Sequence, residues 1–143
     1  MPEARRLLLA FDYGLKRIGV ATGNRLTRTA SPLKTLPARG APPWTEIDAI
    51  VAAWQPDLIV VGRPGVDAGS QLLESIDAFV ASLRERYALD IEEVDESFTS
   101  TAAESALRAD RRDGILRRRV TRGQIDQRAA CLIAEQWMNQ SLE

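Results

Sequence analysis

An α/β fold built on one mixed sheet is what this sequence predicts, and three features predict it. The runs Leu7–Phe11 and Leu58–Val61 are short, densely apolar and bounded by turn residues, as buried strands are. Longer stretches elsewhere repeat apolar residues at helical spacing. Their succession reads β-β-β-α-β-α-β-α-α. Three strands in a row form an antiparallel meander, and the later alternation adds parallel strands through crossovers, so helices cover the faces of one sheet.

The elements follow in order. Leu7 to Asp12 is the first buried strand, and 17–23 and 28–36 are two more with turn residues between them. "WTEIDAIVAAW" places apolar residues at 44, 47, 50, 51 and 54, a helical face, and Pro56 follows as a stop signal. "DLIVVG" is a central strand, and Ser70 is placed to cap a helix running to about Tyr87. Leu72, Leu73, Ile76, Phe79, Val80 and Leu83 line one face of that helix. "DIEEVDE" is a short strand and "STAAESALRADRR" a helix with a capping box from Ser100 or Thr101 to Glu104. "GQIDQRAACLIAEQWMNQ" is the last helix. Trp44, Trp54 and Trp137 all fall on helices and are assigned to the core.

Composition narrows the chemistry. The 143 residues suit a single domain, 1–143, with a sizeable core. No run is long enough to span a bilayer and no signal-peptide pattern opens the chain, so a cytoplasmic protein without membrane partners is expected. One cysteine, Cys131, permits no internal disulfide and no thiolate zinc site. Histidine is absent, which removes Ser-His and Cys-His nucleophile pairs. Acid–base and metal chemistry then rest on carboxylates, Lys, Tyr or hydroxyls.

The net charge of −1 conceals segregation. Residues 74–104 sum to −7, residues 108–122 to +5, and arginine outnumbers lysine 17 to 2. Arginine's planar fork suits phosphate, and a basic block this long suits nucleic acid better than a single nucleotide.

Three acids stand where acids are costly. Asp12 closes the first strand, at the sheet edge where ligands of open α/β sheets gather. Asp95 and Glu96 close the last strand. Asp126 shares the helical stripe of Ala129, Ala130, Ile133 and Trp137, where an unpaired charge is unfavourable. Singly, each acid is explained by structure: Asp12 by the Gly14 turn, Asp126 by the helix dipole. Together, three acids at one edge repel unless a cation sits among them. Oxygen donors without His or Cys favour Mg2+ or Mn2+ over zinc. Lys16 and Arg17 follow Asp12, and Ser97, Thr99, Ser100 and Thr101 follow Glu96, so a phosphorylated substrate is expected beside the ion.

Four blocks, "LLAFDYGLKRIGVATGN", "DLIVVGRP…DAGS", "VDESFTS" and "IDQRAACLI", resemble in order the motifs of the YqgF/RuvX family. Its members are assigned to pre-16S rRNA maturation and are also called RuvC-like Holliday-junction resolvases. The resemblance runs from Leu7 to Met138. It implies an RNase H-like, five-stranded sheet of order 3-2-1-4-5 with strand 2 antiparallel. It implies an acidic triad of Asp12, Glu96 and Asp126 holding one or two Mg2+ or Mn2+. Lys16, Arg17, Arg63 and Thr99 are the expected substrate contacts. The implied reaction is metal-dependent phosphodiester hydrolysis that trims the 5′ end of pre-16S rRNA during ribosome biogenesis. Pre-rRNA, in ribosomal assembly intermediates, is the expected partner before branched DNA, with the protein a monomer or weak homodimer.

Two departures bear on this. The family usually has Asp-Glu-Arg where this chain has Asp95-Glu96-Ser97, and Leu-Pro where it has Arg63-Pro64. Arg63 either replaces the missing arginine or is simply exposed. Three alternatives stay open: a Holliday junction resolvase, a catalytically silent RNA-binding assembly factor, and an actin-like or sugar-kinase ATPase. The last needs a second domain that this length does not provide.

Overall fold

The computed structural model describes residues 7–65, 68–95 and 122–140, the side chains of 122 and 123 excepted. Five strands form one sheet: β1 (Leu7–Tyr13), β2 (Arg17–Asn24), β3 (Thr29–Pro37), β4 (Leu58–Arg63) and β5 (Asp90–Asp95). Three helices are described, α1 (Trp44–Trp54), α2 (Ser70–Arg86) and α3 (Arg122–Gln140). The strand order is β3-β2-β1-β4-β5. β2 is antiparallel to both neighbours, and β4 and β5 run parallel to β1. The expected order and the antiparallel second strand are both observed. The expected helix between β5 and α3 lies outside the described residues.

Side-chain alternation divides the core by the sheet's two faces. Leu9, Phe11 and Tyr13 of β1, Ile18 and Val20 of β2, and Ile59 and Val61 of β4 point to one face. There they meet Ile47 and Ile50 of α1 and Ile76, Phe79, Val80 and Leu83 of α2. Phe79 is the hub, with ring centroids 4.9 Å from Tyr13, 5.6 Å from Trp44 and 5.7 Å from Phe11. Leu8 and Ala10 of β1, Leu58 and Val60 of β4, and Val94 of β5 point to the other face, under Ile133, Ala134 and Met138 of α3.

Two local expectations are corrected. Ser70 does not cap α2: it is the first helical residue, and the cap position is Gly69, whose φ of +100° an L side chain rarely adopts. Trp54 is not core. It ends α1 at 43 % exposure, because the chain turns there through Gln55 at φ 47°. Trp44 and Trp137 are partly buried, each beneath an arginine, with Arg86 4.5 Å from the Trp44 ring and Arg25 5.0 Å from the Trp137 ring.

α3 lies unusually close to β2. On the face toward α3, β2 offers Gly19, Ala21 and Gly23, and the helix sets Ala130, Cys131 and Ala134 against them. A Cβ at Gly19 would fall 2.1 Å from the main-chain oxygen of Asp126, inside any allowed contact. A Cβ at Gly23 would meet only the end of the Leu8 side chain, at 2.9 Å. Burial pushes the Cys131 thiol, enclosed in this seam, up to about 11.

Gly19→Ala is therefore expected to destabilise by about 3 kcal/mol, the upper end for overpacking, because backbone must move. Gly23→Ala is expected to cost about 1 kcal/mol, since a leucine tip can turn aside. Urea unfolding of the two variants measures the difference. A pH effect comes from the other face, where Tyr87 donates to Asp48 and burial, then that carboxylate, raises the Tyr87 pKa to about 12. A raised folded pKa favours the protonated fold, so this contribution is complete below pH ~10 and is lost as pH rises through about 12. Tyrosinate absorbance followed beside circular dichroism should show ionisation and unfolding together in that window.

Candidate active site

Asp12 is the next residue after Leu8 and Ala10 on the α3 face of β1, at the strand's carboxyl end. It pairs with Gly19 across the β1–β2 ladder. One step beyond the Phe11–Val61 pair, its row meets Gly62 of β4. Glycines thus flank Asp12 in both neighbouring strands.

The close seat at Gly19 brings the second acid to the first. The position of a Cβ on Gly19 would lie 3.0 Å from the Asp126 Cβ. Same-face Cβ atoms of directly paired strand residues are about 5 Å apart. The Cβ atoms of Asp12 and Asp126 are therefore at most about 8 Å apart, a span that two carboxylates can close on one cation at about 2.1 Å from each oxygen. These residues are more than a hundred positions apart in the chain.

A cation is already present in the form of a side chain. Arg17, two residues before Gly19 on the same face of β2, donates from Nε to Asp126 Oδ2 at 2.8 Å. The Asp126 side chain is 19 % exposed and that of Arg17 35 %. The pair answers the expectation that Asp126, on an apolar stripe, needs a partner. The neighbouring Gln127 donates from Nε2 to Thr35 Oγ1 of β3 at 3.1 Å, and Gln136 donates to the Asp95 carbonyl of β5 at 2.8 Å. α3 is tied to both edges of the sheet.

The remaining expected residues divide. Lys16 is exposed in the β1–β2 turn beside Arg17, and its carbonyl accepts the Ala38 N–H at 2.8 Å. Arg63 is not brought to the group. It falls with Ile59 and Val61 on the opposite face, where Nη1 donates to Asp77 of α2 at 2.6 Å and Glu93 of β5 at 3.1 Å. These two carboxylates, Asp77 foremost, raise its pKa. Asp95 alternates with Ile91 and Glu93 and so also belongs to the face of α2. Glu96 and Thr99 lie outside the described residues. Among the described residues no group of three or more His, Cys, Asp or Glu is gathered to hold a metal, and no helix is long and apolar enough to cross a membrane.

Sequence reasoning missed the glycines. Gly19 and Gly62 decide where the acids stand, and the signal was the alternation Gly19, Ala21, Gly23 on one face of a strand.

The family model of RuvX, described as Holliday junction resolvase, matches residues 6–140. The chain belongs to the RuvX family. A relative from Marinobacter nauticus named "Putative pre-16S rRNA nuclease" is 42 % identical over 141 residues, 96 % of each chain. One of the same name from Legionella pneumophila is 38 % identical over 140 residues, 96 % of this chain and 98 % of that one. Among solved structures, fowlpox virus resolvase in complex with Holliday junction DNA aligns at a TM-score of 0.60 and 12 % identity, over 96 % of this chain and 99 % of that one. T. thermophilus RuvC in complex with a Holliday junction substrate aligns at 0.58 and 11 %, over 96 % of both. The fold of this RuvX member is the RNase H-like fold of the RuvC-type resolvases.

A double-mutant cycle on Arg17→Met and Asp126→Asn checks the ion pair. Either single change is expected to cost about 1–2 kcal/mol in urea unfolding, and the double variant less than their sum, since the pair is half-buried.

Proposed function

We propose that this RuvX-family chain is a divalent-metal-dependent nuclease of structured nucleic acid, acting on the 5′ end of precursor 16S rRNA. One observation carries the reading: Asp12 and Asp126, from opposite ends of the chain, stand together with Arg17 at the carboxyl end of β1. The names of the relatives supply the substrate.

The donor set suits a hard cation. Both acids offer only oxygens, no histidine competes, and the site already accepts one positive group from the chain. Asp12 and Asp126 would hold the ion, with Glu96 as third carboxylate. Asp95 belongs to the face of α2, which favours Glu96, the residue that the family resemblance implies, as that third carboxylate. When bound, Mg2+ or Mn2+ supplies charge for the phosphoryl oxygens and makes water a stronger acid. In the hydrolysis a water oxygen bonds to phosphorus, the bond from phosphorus to the 3′ oxygen breaks, and that oxygen leaves protonated. The products are a 5′ phosphate and a 3′ hydroxyl.

The chain's own part is positioning. Asp12 is fixed by the β1–β2 ladder and Asp126 by the seat on Gly19, so the main chain of both acids is in place before substrate arrives. Lys16, exposed at the turn, contacts backbone phosphate, and Arg17 does so when released from Asp126. Arg63, held by two acids on the far face, takes no part in this contact.

Cleavage of a Holliday junction is the second reading, favoured by the family's description and by the junction-bound resolvases that share the fold. End-labelled precursor rRNA and a four-way DNA junction, assayed in parallel across a Mg2+ and Mn2+ titration, separate the two. Asp12→Asn and Asp126→Asn are each expected to reduce cleavage about 100-fold or more, corresponding to about 3 kcal/mol of transition-state stabilisation, with an unchanged circular dichroism spectrum. Undiminished cleavage by either variant would remove the acids from the mechanism.

A further inference from the structure

From Tyr13 to Thr45 the chain contains six Lys or Arg and not one Asp or Glu. The fold gathers this stretch into one place, the β2–β3 hairpin and the loop after it, at one edge of the sheet. The other edge is the reverse: β5 carries Asp90, Glu92, Glu93 and Asp95, all exposed, and no cation. Asp12 lies in the middle strand. Among the described residues charge is therefore unequal across the sheet, with cations outside any ion pair on the β3 side and acids on the β5 side, where Arg63 and Arg84 reach Glu93 and the Ile91 carbonyl.

Two of the six cations are engaged, Arg17 by Asp126 and Arg25 by the Trp137 ring. The other four, Lys16, Arg28, Lys34 and Arg39, are exposed, and among the described residues no ion pair holds any of them. Their placement is ordered. Ala38 N–H to Lys16 O continues the β2–β3 ladder past Pro37, so Arg39 is set beside the β1–β2 turn that carries Lys16. Lys34 pairs with Val20 and so belongs to the face of α1 and α2, away from Asp12, whereas Arg28 holds the hairpin turn at φ 58°. β3, Thr29–Pro37, spans about 26 Å, less than one turn of duplex at about 34 Å, with Arg28 and Arg39 just beyond its two ends. Exposed hydroxyls of Thr27, Thr29 and Ser31 line the same stretch and add donors for phosphate oxygens.

We infer that the acid-free β2–β3 edge is the track on which nucleic acid lies, entering the site from the β3 side. Lys16 and Arg39 hold the backbone next to the acids, and Arg28 holds it at the far end of the edge strand. The inference rests on the proposed action on nucleic acid and adds its direction. The competing explanation is that edge-strand lysine and Pro32 only guard β3 against pairing with other chains. That explanation requires no effect on substrate.

The test is the double variant Arg28→Gln, Arg39→Gln, neither of which belongs to the proposed metal site. Binding of a structured RNA hairpin and of a four-way junction is followed by fluorescence anisotropy across a KCl series. Two lost phosphate contacts should weaken binding about fivefold or more at moderate salt and lower the slope of log K against log salt by about 1.5–2. The control variant Asp90→Asn, Glu92→Gln should bind as tightly as wild type or tighter. Mn2+ affinity by calorimetry should be the same in all three proteins, which keeps the track distinct from the metal site. Wild-type affinity and slope in the double variant overturn the inference while leaving the nuclease reading in place. A wild type that binds neither nucleic acid overturns both. Polyglutamate bound as tightly as RNA also overturns it, by making the partner an acidic protein.

Discussion

The seat of α3 on Gly19 is the constraint from which the site follows. A helix carrying an acid can lie this close to a strand only where the strand has no side chain, and β2 supplies that at the position paired with Asp12. The approach fixes Asp126 by its main chain, not by its flexible carboxylate. Arg17 then answers the charge so placed, two residues along the same strand face. Fold and electrostatics are thus one arrangement. Moving the helix outward by the width of a methyl group would separate the acids and strand Asp126 on an apolar stripe without its cation.

Charge is distributed in keeping with that geometry. Carboxylates placed together for a cation would also repel a polyanion, and a polyanion is the proposed substrate. Cations beyond the site offset this repulsion without neutralising the acids themselves. Among the described residues Lys16, Arg28 and Arg39 are exposed on the β3 side, where they can act on phosphate without an ion pair to hold them. Arg63 shows the complementary case. A guanidinium at the end of β4, one strand from Asp12, has no access to the site because strand alternation turns it to the other face, where Asp77 and Glu93 hold it.

Much of this was legible in the sequence. The strand order followed from apolar runs, from three strands preceding the first helix, and from the resemblance, because burial on both faces leaves a continuous apolar signature. Asp126 could be singled out because a 3.6-residue period put it among Ala129, Ala130 and Ile133, all of them buried. What escaped was of two kinds. Trp54 was assigned to the core because aromatic residues on helices usually are, but periodicity does not reveal that the chain turns away at Gln55. The partner of Arg63 was invisible because it depends on the pairing of β4 with β5 and on the seating of α2, none of which is local in sequence. The cap of α2 was misassigned by one residue, the scale on which helix ends are set by backbone dihedrals and not by composition.

The two faces of the sheet divide stability from function. Toward α1 and α2 the core is bulky: Phe11, Phe79, Ile18, Ile47, Ile59, Ile76 and Leu83 are all fully or almost fully enclosed, with Phe79 at the centre of an aromatic group. Burial on this scale, at roughly 2 kcal/mol for each large side chain, is what holds the sheet together. Toward α3 the seam over β2 is made of Gly, Ala and Cys, which bury little area and so contribute little by the same measure. A seam of small residues tolerates no insertion, yet it gives a helix little reason to stay in one register. The register must come from directional contacts, and α3 has them at intervals along its length: Asp126 to Arg17, Gln127 to Thr35, Gln136 to the Asp95 carbonyl, and Trp137 beneath Arg25. Close approach puts the acid at the right depth, and polar ties put it at the right turn of the helix. A bulkier seam would have been more stable, but a side chain at Gly19 would have taken the place beside Asp12 that the main chain of Asp126 occupies.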